Sequence, residues 1–467
     1  MTNPALKLST ALAGLSLFAS VAGGAPAKVA PAWHDQTLTI WKNMIAIPSV
    51  HGRGQMRPMA ESIAKQLRDG GFAAEDIVIE GEGDDITLAA RYRGTDKSKR
   101  KALLLSGHMD VVEARPSDWK RDPFTPIEEG GYLYGRGSYD MKLGNAVMVS
   151  TLIELKRSGF KPKRDILLLL SGDEETAMVT TRRLAKRYAS EGALLLNADA
   201  GGGMLDPVGK PVSYKLQAAE KTYADFEISL TDPGGHSSRP TPGNAIYRLS
   251  RLIDRIAAYQ FPPQLSDITR AYFRMTGKLV GGATGAALLR FAEDPTDADA
   301  IATLRADPEY VGLIGTTCVA TMLSGGHAYN ALPQKASVAV NCRIFPGVPV
   351  EEIKSKLTEV AADPHALITT LDEPTSSDAS PLDPSLLRAV RHGIDRSYPG
   401  LPIVPMMEAG ATDSLHFRAL GVPSYGVAAS FLRPEDDFAH GLDERLPLST
   451  IDPGLLLWHS LLSELSN

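Results

Sequence analysis

Cysteine is nearly absent from this chain: Cys318 and Cys342 are the only two in 467 residues. That is too few for a fold built on disulfides. Both fall in strand-like runs, 316–323 and 336–345, and could be neighbours across two strands. Two separate buried thiols are the favoured reading. A basic footprint is missing as well. The formal net charge is -6, and the one dense basic run, 97–101, reads as a solvated loop. Nucleic acid is thereby excluded as a partner, because phosphate binding needs clustered cations. Beyond the N-terminus no apolar stretch has the length of a membrane-crossing helix. There is no internal repeat and no low-complexity segment. The triple glycine Gly201-Gly202-Gly203 lacks the Gly-x-Gly-x-x-Gly spacing of a dinucleotide-binding turn.

What is present is an ordinary globular composition, 43% hydrophobic and 22% charged. A chain of this length outgrows a single core, so two domains are expected. Residues 1–27 read as a cleavable secretory signal. Lys7 precedes a short apolar run, 8–22, which ends in Gly23-Gly24-Ala25-Pro26-Ala27 with an Ala-x-Ala site. The expected location is therefore exported, periplasmic or secreted, with no membrane attachment after cleavage.

From residue 28 to 212 helices alternate with short apolar strands, the texture of an α/β domain whose mainly parallel sheet is covered by helices. Helices are expected at 56–69, 143–158 and 180–190, and strands at 102–105, 166–170 and 193–196. Residues 213–374 read as an inserted α+β domain, with a strand at 223–230 and helices at 245–258 and 350–361. Within it, 261–312 is a Pro/Asp-rich, partly helical insertion. The α/β texture returns over 375–467, with a helix at 386–398 and a strand near 423–427.

The polar motifs collect just after strand ends, where open α/β sheets bind ligands. Ser106-Gly107-His108-Met109-Asp110 follows the first central strand, and Asp110 is placed to hold the imidazole of His108 in the orientation a metal needs. Gly135-Arg136-Gly137-Ser138-Tyr139-Asp140 lets the backbone turn tightly and present Asp140 at a helix start. Asp173-Glu174-Glu175 crowds three acids at a strand end, a repulsion that a cation or a catalytic carboxylate would explain. Asp199 ends the next strand. Each motif alone has a bland alternative as a turn, an N-cap or a solvated helix start.

In this order, and with His440 late in Phe438-Ala439-His440-Gly441, the motifs resemble the M20 family of metallopeptidases and amidohydrolases. The likeness spans the mature chain and looks closest to the carboxypeptidase and acetylornithine deacetylase-like branch. It implies two zinc ions, with cobalt or manganese as possible substitutes. His108 and Asp199 would hold one, Glu175 and His440 the other, and Asp140 would bridge. Glu174 would be the general base. Pro233-Gly234-Gly235-His236-Ser237-Ser238 resembles the segment that brings an oxyanion-stabilising histidine to the site, often from a partner subunit. The inserted domain would then serve as lid and dimerisation domain. Asn330, Arg343, Gly410 and Thr412 match positions that contact substrate, the guanidinium and the glycine-rich loop pairing with a carboxylate.

The pattern is departed from in three places. Leu143 stands before Gly144 where a glycine commonly follows Asp-Met-Lys, Asp199 stands where some relatives carry glutamate, and 261–312 is longer than in compact members. The resemblance implies an enzyme that cleaves the amide bond of a small peptide or N-acyl amino acid. The alternative, a non-catalytic peptide-binding protein on the same fold, would call for loss of a ligand or of the base, and all are present.

Overall fold

The computed structural model describes residues 28–96 and 100–467. The expected signal segment lies outside the described residues, as do 97–99 of the basic run. The apolar strands Ala102–His108, Ile166–Ser171 and Gly192–Asn197 form the parallel centre of a ten-stranded sheet. The antiparallel strands Thr87–Tyr92 and Ile77–Glu80 extend one edge. The runs are continuously apolar because both faces are covered. Leu103 and Leu105 face the main core, while Leu104, Leu167 and Leu169 face a smaller cluster with Leu184, Phe417 and Val422. Helices Pro31–Ile45, Leu143–Arg157 and Ile451–Leu465 pack together over the larger core.

On the other side of the centre, Ser424–Gly426 pairs parallel with Gly192–Asn197 and touches Pro211–Glu220. Ile403–Glu408 then runs parallel to Pro211–Glu220. Because Pro211–Glu220 belongs to the large sheet, the expected boundary at 212/213 falls inside a strand of the first domain. The second sheet begins at Thr222. It has four antiparallel strands, in the order Thr317–Gly325, Lys335–Ile344, Thr222–Thr231, Leu367–Leu371, backed by helices Ala245–Ala258 and Val350–Ala361.

Two expectations are corrected. Cys318 and Cys342 form a disulfide: they are directly opposed in an antiparallel pair with their Cα atoms 4.1 Å apart. Register decides this, and no single strand reveals it. The 261–312 insertion forms helices Asp267–Val280, Gly282–Glu293 and Ala298–Arg305, whose core includes Val404 from the large sheet. It therefore packs on the edge strand Ile403–Glu408 of the first domain, although its sequence lies inside the second.

Candidate metal centre

His108 closes its strand and is buried. Its Nδ1 lies 3.0 Å from the main-chain carbonyl of Asp110 and its Nε2 lies 3.0 Å from Asp140 Oδ1. Asp199 Oδ1 is 3.5 Å from the same Nε2. The other oxygen of Asp140 is 3.1 Å from His440 Nε2, which is 3.0 Å from Glu175 Oε1. Two groups result, His108–Asp140–Asp199 and Asp140–Glu175–His440, each with candidate ligand atoms within 4.8 Å of one another. Asp140 belongs to both, one oxygen toward each imidazole. Two imidazoles and three carboxylates are a donor set that suits zinc and its neighbours.

Asp110 holds the His108 ring as expected, through its main-chain oxygen. Its main-chain oxygen meets the His108 ring at 3.0 Å, closer than its carboxylate at 3.5 Å. The carboxylate accepts the backbone N–H groups of Glu174 and Glu175, at 3.1 and 2.9 Å. One buried residue thus fixes both the imidazole and the acidic loop. The three successive acids also separate by role. Asp173 turns inward and accepts from the N–H groups of Val179 and Thr180, capping the helix that follows. Glu175 faces His440. Glu174 lines the cleft in neither ligand group, and its carboxylate makes no hydrogen bond among the described residues.

Burial holds the Glu174 carboxyl well above its usual range, reinforced by the charges of Asp199, Asp413 and Glu175. Hydrogen bonds to Asp140 and Glu175 push His440 up to about 10. Loading a cation therefore has to displace a proton from this ring, and affinity falls as pH falls.

The loop presenting Asp140 rests on a residue that the motifs did not reveal. Glu444, buried, accepts from the backbone N–H groups of Gly137, Tyr139 and Asp140 at 3.2, 2.8 and 3.2 Å, and pairs with Arg136 at 2.5 Å. Arg136 also donates to the carbonyl of His440 at 3.1 Å, where the backbone is left-handed at φ 66°. This pair ties the loop of Asp140 to the loop of His440. Gly137 is required because its φ is 79° and a Cβ there would lie 2.6 Å from Val111. The available signal was the spacing of Glu444 four residues after His440, beside Asp443 and Arg445, which reads as an ordinary charged turn. Asn145 was missed too. It donates from Nδ2 to the His108 carbonyl at 2.6 Å from the first turn of the helix Leu143–Arg157.

The centre opens into a cleft of about 450 Å³ lined by Tyr139, Glu174, Lys215, Glu408 and Gly410 among others. Of the four expected substrate contacts, Gly410 and Thr412 line it. Thr412, however, is occupied: Glu220 accepts from its N–H at 2.8 Å and from its hydroxyl at 3.1 Å, in a buried pair with Arg418. Arg343 stacks over Tyr223 at 4.6 Å and donates to the Ala409 carbonyl at 3.3 Å, bracing the loop from outside. His236 and Asn330 come together at an exposed two-stranded tip, where Ser237 donates to the Asn330 carbonyl at 3.0 Å, and neither lines this cleft. Thr412 thus reaches the cleft already hydrogen-bonded to Glu220, Gly410 lines it beside Thr412, and Asn330 and Arg343 stand outside it. Asp413 is buried beneath the centre, accepting from Ser171 and Thr181. Burial raises its carboxyl to about 6.

A carboxylate shared by two imidazole–carboxylate groups, beside the carboxyl ends of parallel strands, is a candidate two-metal centre of the kind hydrolases use. The chain belongs to peptidase family M20/M25/M40, whose family model matches residues 104–464. It is 27% identical over 378 residues to the N-fatty-acyl-amino acid synthase/hydrolase PM20D1 of Xenopus tropicalis, covering 78% of this chain and 72% of that one. It is also 27% identical over 380 residues to the probable carboxypeptidase S-like 2 of Dictyostelium discoideum, covering 78% and 71%. Its fold is similar to the M20 family metallo-carboxypeptidase Sso-CP2 of Sulfolobus solfataricus, with a TM-score of 0.68, 18% identity, and coverage of 92% and 99%.

Proposed function

We propose that this protein is an exported two-zinc amidohydrolase that cleaves the amide bond of a small peptide or an N-acyl amino acid, with Glu174 as general base. The observation that carries this reading is Asp140: its two oxygens face one imidazole each, while Glu174 stands beside Glu175 without joining either group. Divalent cations held by the two groups would acidify water and polarise the substrate carbonyl. Glu174 takes a proton from the attacking water and returns it to the leaving amine as the C–N bond breaks. Burial raises the proton affinity of Glu174, which suits delivery to the amine, and bound cations would lower it toward the ionised form that accepts the water's proton.

Export is supported by the Cys318–Cys342 disulfide, a bond that persists in oxidising compartments. Dimerisation through the inserted domain is supported by its exposed edge strand Thr317–Gly325, which shows Val319, Met322 and Leu323 to solvent, near the exposed Tyr329. His236 of a second subunit would then donate to the developing oxyanion, in keeping with its place outside the cleft of its own chain.

The test is a zinc-supplemented screen against dipeptides, C-terminally blocked peptides and N-acyl amino acids. Turnover is expected to vanish in chelator and return with zinc. Full activity in protein shown to be metal-free overturns the reading.

A further inference from the structure

The chain leaves the large sheet for the second domain across a single residue. Pro211–Glu220 belongs to the large sheet and Thr222–Thr231 to the second, so Lys221 alone stands between them. Its backbone N–H donates to the Glu408 carbonyl at 3.0 Å, on the edge strand of the first domain. Its side chain is fully buried. The ammonium donates to the carbonyls of Gly312 and Gly315 at 2.8 and 2.7 Å and reaches the Thr317 hydroxyl at 3.4 Å. Lysine is rarely buried in full unless a charge is paired with it, and here each of the three partners is neutral.

Those partners lie on the returning leg of the helical insertion, which runs from Arg305 into the edge strand Thr317–Gly325 of the second sheet. The outgoing leg lies beside it. Gln264 donates its N–H to the Ile314 carbonyl at 2.8 Å, and its Oε1 accepts from the N–H and hydroxyl of Thr316 at 3.3 and 3.2 Å. The Thr316 hydroxyl accepts in turn from the Phe345 N–H at 3.0 Å, at the end of the second-sheet strand Lys335–Ile344. Lys221, both legs of the insertion and Phe345 therefore meet in one hydrogen-bonded knot. The remaining chain link between the domains is the long segment 372–383, which has neither helix nor strand. Close packing does not by itself fix the legs, because a cavity of about 180 Å³ lined by Tyr259, Phe261, Arg305, Ile314 and Thr317 lies between them.

We propose that Lys221 is a positioning residue, whose buried ammonium fastens the helical insertion to the interdomain hinge and so fixes the angle between the second domain and the metal cleft. A one-residue link by itself would let small changes in φ and ψ swing the second domain. The insertion, however, is docked on the first domain through Val404 and Met406. Tying it to the hinge turns one flexible link into a brace with two feet on the first domain. His236 and Asn330 ride on the second domain, so this angle decides where they stand relative to the cleft.

The experiment uses zinc-supplemented full-length protein with its disulfide intact. It carries nitroxide labels at Glu61→Cys in the first domain and Thr358→Cys in the second, both exposed. Burial, with the charge of Arg343, pushes the Lys221 ammonium down to about 7, so the labels are read at pH 6, where it is charged. Double electron–electron resonance on the otherwise wild-type protein is expected to give one narrow distance distribution. Lys221→Met keeps the bulk but loses all three contacts, and should broaden that distribution about twofold or shift its mean. Leu456→Ala, a cavity in the main core, should lower stability and leave the distribution narrow. An unchanged distribution in Lys221→Met, equal broadening in Leu456→Ala, or a wild type already as broad as the variant overturns the proposal. Should Lys221→Met fail to fold, Lys221→Gln is read against the same criteria.

Discussion

Removing the Glu444 side chain tests whether the metal centre is held together from behind. Glu444→Ala deletes the acceptor for three backbone N–H groups and leaves Arg136 buried without its partner. Breaking a buried ion pair on one side costs about 3–5 kcal/mol, much of it from the orphaned charge. Glu444→Gln is the informative companion. Oε1, which serves Tyr139 and Asp140, is retained, while the half serving Arg136 and Gly137 becomes a donor facing donors. Its loss should be intermediate, with the Asp140 loop better kept than in the alanine variant. Since Asp140 is common to both ligand groups, its loosening should weaken metal binding about 10- to 100-fold, the usual effect of losing a residue that orients a ligand. Denaturant unfolding measures the first effect, and competition with a chromophoric chelator measures the second. A Glu444→Ala protein with an unchanged unfolding midpoint and metal affinity within threefold of wild type would refute the argument.

Glu174→Gln should retain both metals by elemental analysis and lose about 10²–10⁴-fold in kcat, and near-normal turnover would remove Glu174 as the base. Burial raises the Glu174 carboxyl, so the ionised base is present above that raised value and lost as pH falls through it. In metal-free protein the Glu174 carboxyl should therefore titrate above the usual carboxylate range by infrared carbonyl absorption, and titration at the ordinary glutamate position would contradict this. Paired replacement of Cys318 and Cys342 by serine opens a cross-link with a sequence separation of 24. It should lower stability by ~3 kcal/mol without changing KM, because the link restricts the unfolded chain and lies apart from the cleft. Arg418→Met strands the buried Glu220 carboxylate and should destabilise by about 3–5 kcal/mol in chemical denaturation; a neutral result would show that Thr412 and its loop do not depend on this pair.

The expected helices at 245–258 and 350–361 match Ala245–Ala258 and Val350–Ala361, because each carries a strong apolar stripe ended by local signals. The central strands were legible for a similar reason, as short apolar runs that only a sheet covered on both faces accommodates. The helical insertion was legible as helix but not in its docking. Its apolar face meets Val404 and Met406, more than 120 positions after Asp267, and nothing local records that partner.

The same division runs through the site. Sequence alone determined which residue types stand at the strand ends, because a strand's apolar run stops where its side chains reach the rim and polar groups become affordable. His108, Glu175 and Asp199 were legible in this way, Asp140 as an acid at a helix start, and His440 only through the family resemblance. Tertiary structure decided which of them share Asp140, that the Asp110 carboxylate clamps the acidic loop, and that Thr412 is taken by Glu220. It also brought Glu444 under the loop of Asp140 and the Lys221 ammonium to the carbonyls of Gly312 and Gly315. Those outcomes depend on charges and N–H groups that meet only when distant segments pack, and the free energy of such a meeting resides in the pair and not in either residue.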